Sequence, residues 1–113
     1  MVDEPTYYLE VPLEDLYVEL GNMLLGEGYG AGLEDRDEHG RFGKEWFNGK
    51  LRLFQKNVCS HPIARELSED LPGDLVTISA ILLPYVGDDL NVSYAVGAII
   101  LRRGIANFCR DYI

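Results

Sequence analysis

The stretch that decides the fold is DLVTISAILLPYVGDDLNVSYAVGAIILRRG, Asp74–Gly104, which holds two apolar runs separated by two aspartates. The first run has no charged residue for thirteen positions, from Leu75 to Gly87. A helix that crosses a bilayer needs about 20 apolar residues, so we predict two packed helices in a soluble protein. The second run is apolar on nearly every side from Tyr94 to Leu101, which is typical of the central helix of a bundle. Gly97 and Gly104 would let a neighbouring helix approach closely.

The ends of these two helices are indicated by capping and helix-breaking residues. Asp74 is the candidate N-cap of the first helix, and Pro84 is expected to end or kink it. Asp88 or Asp89 is the candidate N-cap of the last helix, which we predict to continue through residue 112.

Three more helices are predicted upstream from proline positions and from the spacing of apolar residues. Pro12 suits the first turn of a helix, and apolar residues then recur at helical spacing as far as Leu24. A second helix is predicted to begin near Arg41, and Gly49 weakens it by about 1 kcal/mol relative to alanine, which predicts close packing or a bend. Pro62 indicates the start of a short third helix. The second helix carries an apolar stripe with two broadening residues: Phe47, Leu51, Phe54, Val58, Trp46 and Leu53.

Two segments lack a helical pattern. Residues 1–11 alternate weakly between apolar and polar and are predicted to form an extended arm on the core. Eight of the twelve glycines fall between residues 21 and 49, and residues 26–43 are predicted to form a Gly-rich acidic loop. The length of 113 residues is that of one domain. The sequence therefore predicts an all-α fold, a compact bundle of about five helices in a single domain, 1–113.

Overall charge and cysteine usage bear on partners and location. The net charge is −9, from nineteen acidic and ten basic residues. Nucleic acids and anionic membranes are polyanions, so we expect neither direct nucleic-acid binding nor membrane binding. The amino-terminal residues show no basic segment followed by an apolar one, and no signal peptide is predicted. Cys59 and Cys109 are interpreted as free buried thiols in a reducing cytoplasm, with one bridge between them left open.

The acidic segment that begins at Asp35 contains part of a calcium-loop pattern. An EF-hand loop needs oxygen ligands at its first, third and fifth positions, glycine at the sixth and glutamate at the twelfth. Asp35, Asp37 and Gly40 match this pattern. His39 holds the fifth position, where it is a poor ligand for a hard cation, and Trp46 holds the twelfth. We predict a solvated acidic loop and no calcium site.

Zinc binding and cysteine catalysis are the other chemistries that the sequence raises. The soft ligands are numerically a Cys₂His₂ set, but no two of them show the short spacing that holds ligands on one turn. Cys59 and His61 lie two residues apart, with no orienting third group beside them, so a nucleophile–base pair is not predicted. We therefore predict no catalytic residues, no metal and no cofactor. The soft ligands are His39, Cys59, His61 and Cys109.

The glycine patterns do not predict a phosphate site. The segment from Gly40 to Lys44 contains Gly-Lys but lacks the leading glycine and the following serine or threonine of a Walker loop. The alternating glycines from Gly26 to Gly32 do not complete the dinucleotide-binding pattern, and no strand is predicted before them. A flexible linker is the preferred interpretation.

Charge is divided unevenly along the chain. Residues 1–38 carry eleven acidic side chains and one basic side chain, a net charge of −10. Residues 39–65 carry six basic side chains and one acidic side chain, a net charge of +5, and residues 66–113 have a net charge of −4. The basic stretch thus begins inside the predicted Gly-rich loop and continues along the amphipathic helix.

Two interpretations of this layout stay open. In one, the acidic and basic helices pack side by side and their charges pair at the surface, where each pair contributes about 0–1 kcal/mol. In the other, one charged face stays free and steers a partner of opposite charge. Tyr29 and Trp46 are then candidate anchors, because aromatic residues often dominate interface energetics. Trp46 is equally a candidate core residue of its amphipathic helix.

The leading functional hypothesis is a non-catalytic helical protein–protein interaction module, such as an adaptor, a regulatory domain or an effector-associated domain. Its partner would be another protein, for example one with a basic surface, or a second copy of the chain. One alternative is a small acidic inhibitor or immunity-type protein that blocks a basic active site or a nucleic-acid channel. Another is a small enzyme or metal protein. The candidate interaction residues lie on both sides of the charge boundary: Asp3, Glu4, Glu14, Asp15, Glu19, Tyr29, Lys44, Trp46, Lys50, Arg52 and Lys56.

Overall fold

The computed structural model describes residues 5–25, 35–61 and 71–110. All regular structure in these three ranges is helical, and the buried apolar side chains form one core cluster. The predicted all-α class is therefore confirmed for the described residues. In chain order the helices are α1 (Pro5–Glu10), α2 (Leu13–Leu25), α3 (Asp35–Gly49), α4 (Leu51–Cys59), α5 (Leu71–Leu82), α6 (Leu90–Arg103) and α7 (Ile105–Cys109), with a 3₁₀ turn at Leu83–Val86.

Helices α5 and α6 contain the two apolar runs and lie at the centre of the core. On α6, full burial extends to every side of the helix, as predicted from its continuous apolar sequence. Burial of such side chains supplies about 25 cal/mol for each Å² of apolar surface removed from water, which is the main stabilising contribution to the fold. The α6 residues with no exposed surface include Ala95, Val96, Ala98, Ile99 and Ile100.

Two buried serines join α5 to α6. The Ser79 hydroxyl donates to the backbone carbonyl of Ser93 at 3.3 Å, and the Ser93 hydroxyl donates to the carbonyl of Ser79 at 2.5 Å. A buried hydroxyl without a partner would cost about 1–3 kcal/mol, so this reciprocal pair makes two polar groups tolerable inside an apolar contact. A Cβ built on Gly97 would lie 3.0 Å from Leu75 Cδ1 and 3.0 Å from Ser79 Oγ. The predicted close approach at Gly97 is thus confirmed.

The first of the two central helices begins earlier than its predicted cap. Helix α5 starts at Leu71, and Asp74, the predicted N-cap, is a buried residue in its first turn. The helix ends at Leu82, two residues before Pro84, as expected from the helix-breaking effect of proline. The 3₁₀ turn that follows is closed by Gly87, whose φ of +73° is a conformation that glycine adopts without strain.

The second central helix has a side-chain cap at its start. The Asp89 carboxylate accepts hydrogen bonds from the backbone N–H groups of Asn91 at 3.0 Å and Val92 at 3.3 Å. Of the two predicted candidates, Asp89 is therefore the N-cap of α6. Asp88 instead takes a positive φ of 58°, a conformation that aspartate and asparagine tolerate better than most residues.

The amino-terminal arm is a helix where the structure describes it. The prediction of an extended arm over residues 1–11 is wrong for residues 5–10, which form α1. Residues 1–4 lie outside the described ranges. Tyr8 is only 4% exposed, and its ring centroid lies 5.8 Å from that of Tyr94 on α6. A helical turn lets the arm bury the Tyr8 ring. The stability gained from this packing outweighs the preference for an extended arm that the weak alternation of the sequence indicates.

A hydrogen-bonded arginine holds the end of α1 on the core. Arg102 of α6 donates to the backbone carbonyl of Leu9 at 3.2 Å and to that of Val11 at 2.5 Å. Carbonyl groups at a helix C-terminus have no partner within the helix, so these two bonds satisfy acceptors that the short α1 leaves open.

The predicted Gly-rich acidic loop is wrong in its second half. Helix α3 begins at Asp35 and includes every residue of the predicted loop from 35 to 43. Residues 26–34, the first half of that loop, lie outside the described ranges. A polar helix such as α3 is stabilised by tertiary packing of one of its faces. The apolar pattern of residues 35–43 does not predict this packing.

Glycines hold α2 and α3 in close backbone contact. A Cβ built on Gly21 would lie 2.0 Å from the carbonyl oxygen of His39, and one on Gly43 would lie 2.2 Å from the carbonyl oxygen of Tyr17. No side chain larger than hydrogen fits at these two positions unless the helices move apart. The glycine enrichment that indicated a flexible loop therefore belongs, at Gly21 and Gly43, to a helix–helix contact.

The described residues contain seven α-helices, and the prediction of about five is wrong for three identifiable reasons. The arm is helical, the predicted amphipathic helix is divided into α3 and α4 at Lys50, and the predicted last helix is divided into α6 and α7 at Gly104. A Cβ built on Gly49 meets no atom of another described element within 4 Å, so close packing is not the role of this glycine. Helix α3 ends at Gly49, and the next residue, Lys50, leaves the helical conformation with φ −105° and ψ 9°. Gly104 has a φ of +92° and ends α6. The helix start predicted at Pro62 lies outside the described ranges.

A disulfide joins α4 to α7. Cys59 and Cys109 are bonded to each other, with their Cα atoms 5.6 Å apart, and neither cysteine is free. The interpretation of both as free thiols is therefore wrong. The division at Gly104 ends α6 and starts α7 at Ile105, and α7 ends at Cys109 beside the end of α4. The cytoplasmic location stays a prediction, and it loses the support of reduced cysteines, because disulfides persist mainly in oxidising compartments.

Candidate interaction surface

The acidic candidates on α2 are partly engaged with neighbouring helices. Asp15 forms an ion pair with Arg36 of α3. Glu19 accepts a hydrogen bond from the hydroxyl of Tyr7 on α1. Glu14 is exposed, and no ion pair joins it to a described residue. Two of the three described acidic candidates thus have a partner within the protein.

The Tyr7 phenol is perturbed by its carboxylate partner. The hydrogen bond to Glu19 is the largest cause, followed by partial burial and by the negative charges of Glu19 and Asp15, and together they raise the pKa of Tyr7 to about 12. The neutral phenol is the form that can donate to the carboxylate, so the folded protein favours it. This contact explains why Glu19 is a structural residue that ties α1 to α2.

An open groove with a volume of about 390 Å³ lies between α2 and α3. It brings together Glu14, Asp15 and Lys44, three candidates that come from both sides of the charge boundary. Its lining holds three acidic and three basic side chains, so its charge does not favour a partner of either sign. The lining residues are Glu14, Asp15, Tyr17, Val18, Arg36, Asp37, Gly40, Arg41 and Lys44.

Two of the four basic candidates, Lys44 and Lys50, contact aromatic rings, and none of the four contacts a carboxylate of the described residues. The Lys44 ammonium lies 5.3 Å from the ring centroid of Tyr17, and that of Lys50 lies 5.5 Å from the Trp46 ring centroid. Such cation–π contacts contribute about 0.5–1 kcal/mol at exposed sites. None of the four basic candidates on α3 and α4 lies within 4 Å of a carboxylate of a described residue. Their charge is therefore uncompensated by any ion pair within the described ranges.

Trp46 has an intermediate position. Its side chain is half-buried, its ring centroid lies 5.9 Å from that of the fully buried Phe54, and Lys50 lies over it. Trp46 thus packs against the core on one side, as the core interpretation predicted, and is covered by a lysine rather than by apolar residues on the other.

The outer side of α3 and α4 carries exposed apolar side chains between the basic ones. Phe42 is 38% exposed and Leu53 is 37% exposed. Helix α3 ends at Gly49 and α4 begins at Leu51, and Lys50 between them has φ −105° and ψ 9°, so the two helices are separate segments joined at a bend. We define the α3–α4 face as six exposed residues of these two helices: Arg41, Phe42, Glu45, Arg52, Leu53 and Lys56.

The opposite side of α3 and α4 is anchored in the core. Phe47, Phe54 and Val58 have no exposed surface. The buried Gln55 side chain donates to the backbone carbonyl of Phe108 at 2.8 Å, and the Cys59 disulfide lies one turn further along α4. These contacts hold the helices on which the α3–α4 face is mounted.

The residues considered for metal binding and nucleophilic catalysis do not form a site. Cys59 and Cys109 are joined in the disulfide, so neither offers a thiolate as ligand or nucleophile. His39 is 5% exposed where α3 contacts α2, and His61 is exposed beyond the end of α4. Within the described ranges, no three histidine, cysteine, aspartate or glutamate side chains are grouped so that they could hold a metal ion.

The structure brings only some of the sequence candidates together. Asp3, Glu4 and Tyr29 lie outside the described ranges. Two apolar members of the α3–α4 face, Phe42 and Leu53, were not selected from the sequence as interaction residues. Phe42 lay in the predicted loop and Leu53 was assigned to the apolar stripe, so no signal in the sequence grouped the two residues.

No helix in the described ranges combines the length and the apolarity that a membrane span requires. Neither protein-family models, nor curated proteins, nor solved structures match this chain.

Proposed function

We propose that this protein is a non-catalytic protein–protein interaction module and that the α3–α4 face is its principal contact surface. One observation carries the proposal: three basic side chains of this face are exposed, lack a carboxylate partner among the described residues and alternate with two exposed apolar side chains. Arginine is enriched at interface hot spots, and aromatic residues are enriched at the cores of interfaces. The face carries two arginines and one phenylalanine, and its helices are anchored by buried phenylalanines and a disulfide.

The acidic alternative has less support. An inhibitor that blocks a basic site would present free carboxylates, but of its three described candidates Asp15 is paired with Arg36 and Glu19 is bound to Tyr7, which leaves Glu14. The alternative of a small enzyme or metal protein has lost the thiols on which its chemistry depended. The interaction module therefore remains the function that the geometry favours.

Site-specific photo-crosslinking tests this proposal in the cells that make the protein. A photoreactive phenylalanine analogue replaces Phe42, and in a second variant it replaces Val76, an apolar residue of α5 that is 47% exposed. We expect a discrete covalent adduct from position 42, identifiable by mass spectrometry, and none from position 76. Equal labelling at both positions, or no adduct at position 42, would contradict the proposal.

A further inference from the structure

We infer that the partner of the α3–α4 face is an acidic amphipathic helix of another protein. This inference rests on the proposed function and adds the chemistry and shape of the partner. It follows from the spacing of the two exposed apolar side chains, from the charge around them and from the charge of the rest of the chain.

The spacing of the apolar side chains suits a helical partner. Phe42 and Leu53 are eleven residues apart. A straight helix would rise about 16 Å over eleven residues, so with the bend at Lys50 the two positions lie at most about that far apart along the helices. A partner helix with apolar side chains at i, i+4, i+7 and i+11 presents a stripe long enough to cover both. Two helices can then pack with their axes about 8–10 Å apart, because the side-chain ridges of one fill the grooves of the other.

The charge of the face favours acidic flanks on that helix. Arg41 precedes Phe42 on α3, Arg52 and Lys56 lie beside Leu53 on α4, and Glu45 is the single acidic member of the face. Carboxylates beside the apolar stripe of the partner would lie next to these three cations. Arginine binds carboxylates in a bidentate manner, so Arg52 and Arg41 would also fix the register of the helix.

The net negative charge of the whole chain argues against two other acidic partners, a second copy of the chain and nucleic acid. A second copy of the chain brings a net charge of −9 toward a net charge of −9, which opposes self-association. Nucleic acid carries dense charge over a long distance and would be repelled by the same excess. A short acidic helix carries fewer negative charges than a second copy or nucleic acid, so the same repulsion is weaker for it.

Binding of designed peptides to the intact, oxidised protein tests the inference. The probe is a fluorescent 16-residue helical peptide with leucine at i, i+4, i+7 and i+11 and glutamate beside the leucines. A second peptide has the same composition with the leucines scattered around the helix, and a third has lysine in place of every glutamate. We expect saturable anisotropy changes with the first peptide, with binding at least about tenfold tighter than for either of the others.

Paired variants of the protein identify the surface. The double variant Arg52→Glu with Lys56→Glu should weaken binding of the first peptide by about tenfold. Arg110→Glu, on an exposed residue after α7, makes the same charge change as Arg52→Glu alone and should leave binding within about twofold, whereas Arg52→Glu alone should weaken binding by more than that. Leu53→Ala should weaken binding with no change in charge. Far-ultraviolet circular dichroism checks that each variant remains folded.

The inference is overturned if the scattered or the lysine peptide binds as tightly as the first, or if Arg110→Glu weakens binding as much as the double variant. It is also overturned if the protein binds a single-stranded oligonucleotide more tightly than the first peptide, or forms a stable dimer by light scattering through the α3–α4 face. If none of the peptides binds while the crosslink from position 42 persists, the proposed function stands and the partner chemistry is wrong.

Discussion

The carbonyl oxygen of His39 lies only 2.0 Å from the position that a Cβ on Gly21 would occupy. Because the obstructing atom belongs to the backbone of α3, no side-chain rotation can relieve the contact. Gly21→Ala must therefore push α2 and α3 apart, and overpacking of this kind costs about 2–3 kcal/mol. The free energy of unfolding, measured with urea, should fall by that amount.

Gly49→Ala is the matched control for this variant. Gly49 is also a helical glycine, but a Cβ built on it meets no atom within 4 Å. Alanine has the higher helix propensity, so this change should leave stability unchanged or raise it by up to about 1 kcal/mol. A loss of stability equal to that of Gly21→Ala would show that the α2–α3 contact is not the cause.

Reduction of the Cys59–Cys109 disulfide should destabilise the protein markedly. The bond closes a loop with a sequence separation of 50. Loop-closure entropy predicts a loss of about 4 kcal/mol when such a bond is removed. The melting temperature of the wild-type protein should fall on addition of dithiothreitol, whereas that of the Cys59→Ser, Cys109→Ser double variant should start low and not respond. Two reactive thiols in the unreduced, denatured wild-type protein would refute the bond.

The Tyr7–Glu19 contact predicts a pH dependence on the alkaline side. The pKa of Tyr7 is raised to about 12 in the folded protein, above its ordinary value of about 10. The neutral phenol is thus favoured by folding, and its contribution to stability is present below about pH 10 and is lost as the pH rises through about 12. The stability difference between the wild-type protein and Tyr7→Phe should shrink over that interval.

Spectrophotometric titration separates this effect from general alkaline unfolding. The absorbance of tyrosinate near 295 nm in the wild-type protein, minus that in Tyr7→Phe, isolates the Tyr7 titration. Glu19→Gln removes the charged acceptor and should shift this titration down toward pH 10. A Tyr7 titration that is unchanged in Glu19→Gln would be inconsistent with the hydrogen bond.

The N-cap of α6 offers a prediction with a neighbouring control. Asp89→Ala removes the acceptor for the N–H groups of Asn91 and Val92, and loss of such a cap costs about 1 kcal/mol. Asp88→Asn removes the same charge one residue earlier and keeps a side chain that tolerates a positive φ, so stability should stay within about 0.5 kcal/mol. Chemical denaturation of the two variants measures the difference.

The central helices could be predicted because their evidence is local. The continuous apolar sequence from Tyr94 to Leu101 requires burial on all sides of the helix, whichever helices pack around it. Pro84 and Asp89 act on the backbone only within a few residues of their own positions. The meaning of Gly21 and Gly43 depends instead on which helix lies opposite. Composition alone cannot distinguish a glycine that allows two backbones to touch from one that loosens a loop.

The candidate site could be predicted less well than the central helices, because it depends on tertiary structure and not on local sequence alone. The α3–α4 face is visible only when residues 35–43 are known to be helical, because Phe42 otherwise belongs to a loop and cannot be placed relative to Leu53. The disulfide also depends on tertiary structure, since it requires the break at Gly104 and the return of α7 to α4. Charge segregation was visible in the sequence, but the pairing of Asp15 and Glu19 with Arg36 and Tyr7 was not.

The bond between Cys59 and Cys109 turns the intervening chain into a covalent ring that contains α5 and α6. One peptide-bond cleavage anywhere inside that ring leaves two pieces still connected through sulfur, and they part only when a reductant is added. On an electrophoresis gel a nicked molecule would therefore migrate as full-length without reductant and as fragments with it. A protease that attacks the protein between these cysteines must cut twice, or wait for reduction, before any segment of the buried pair can leave.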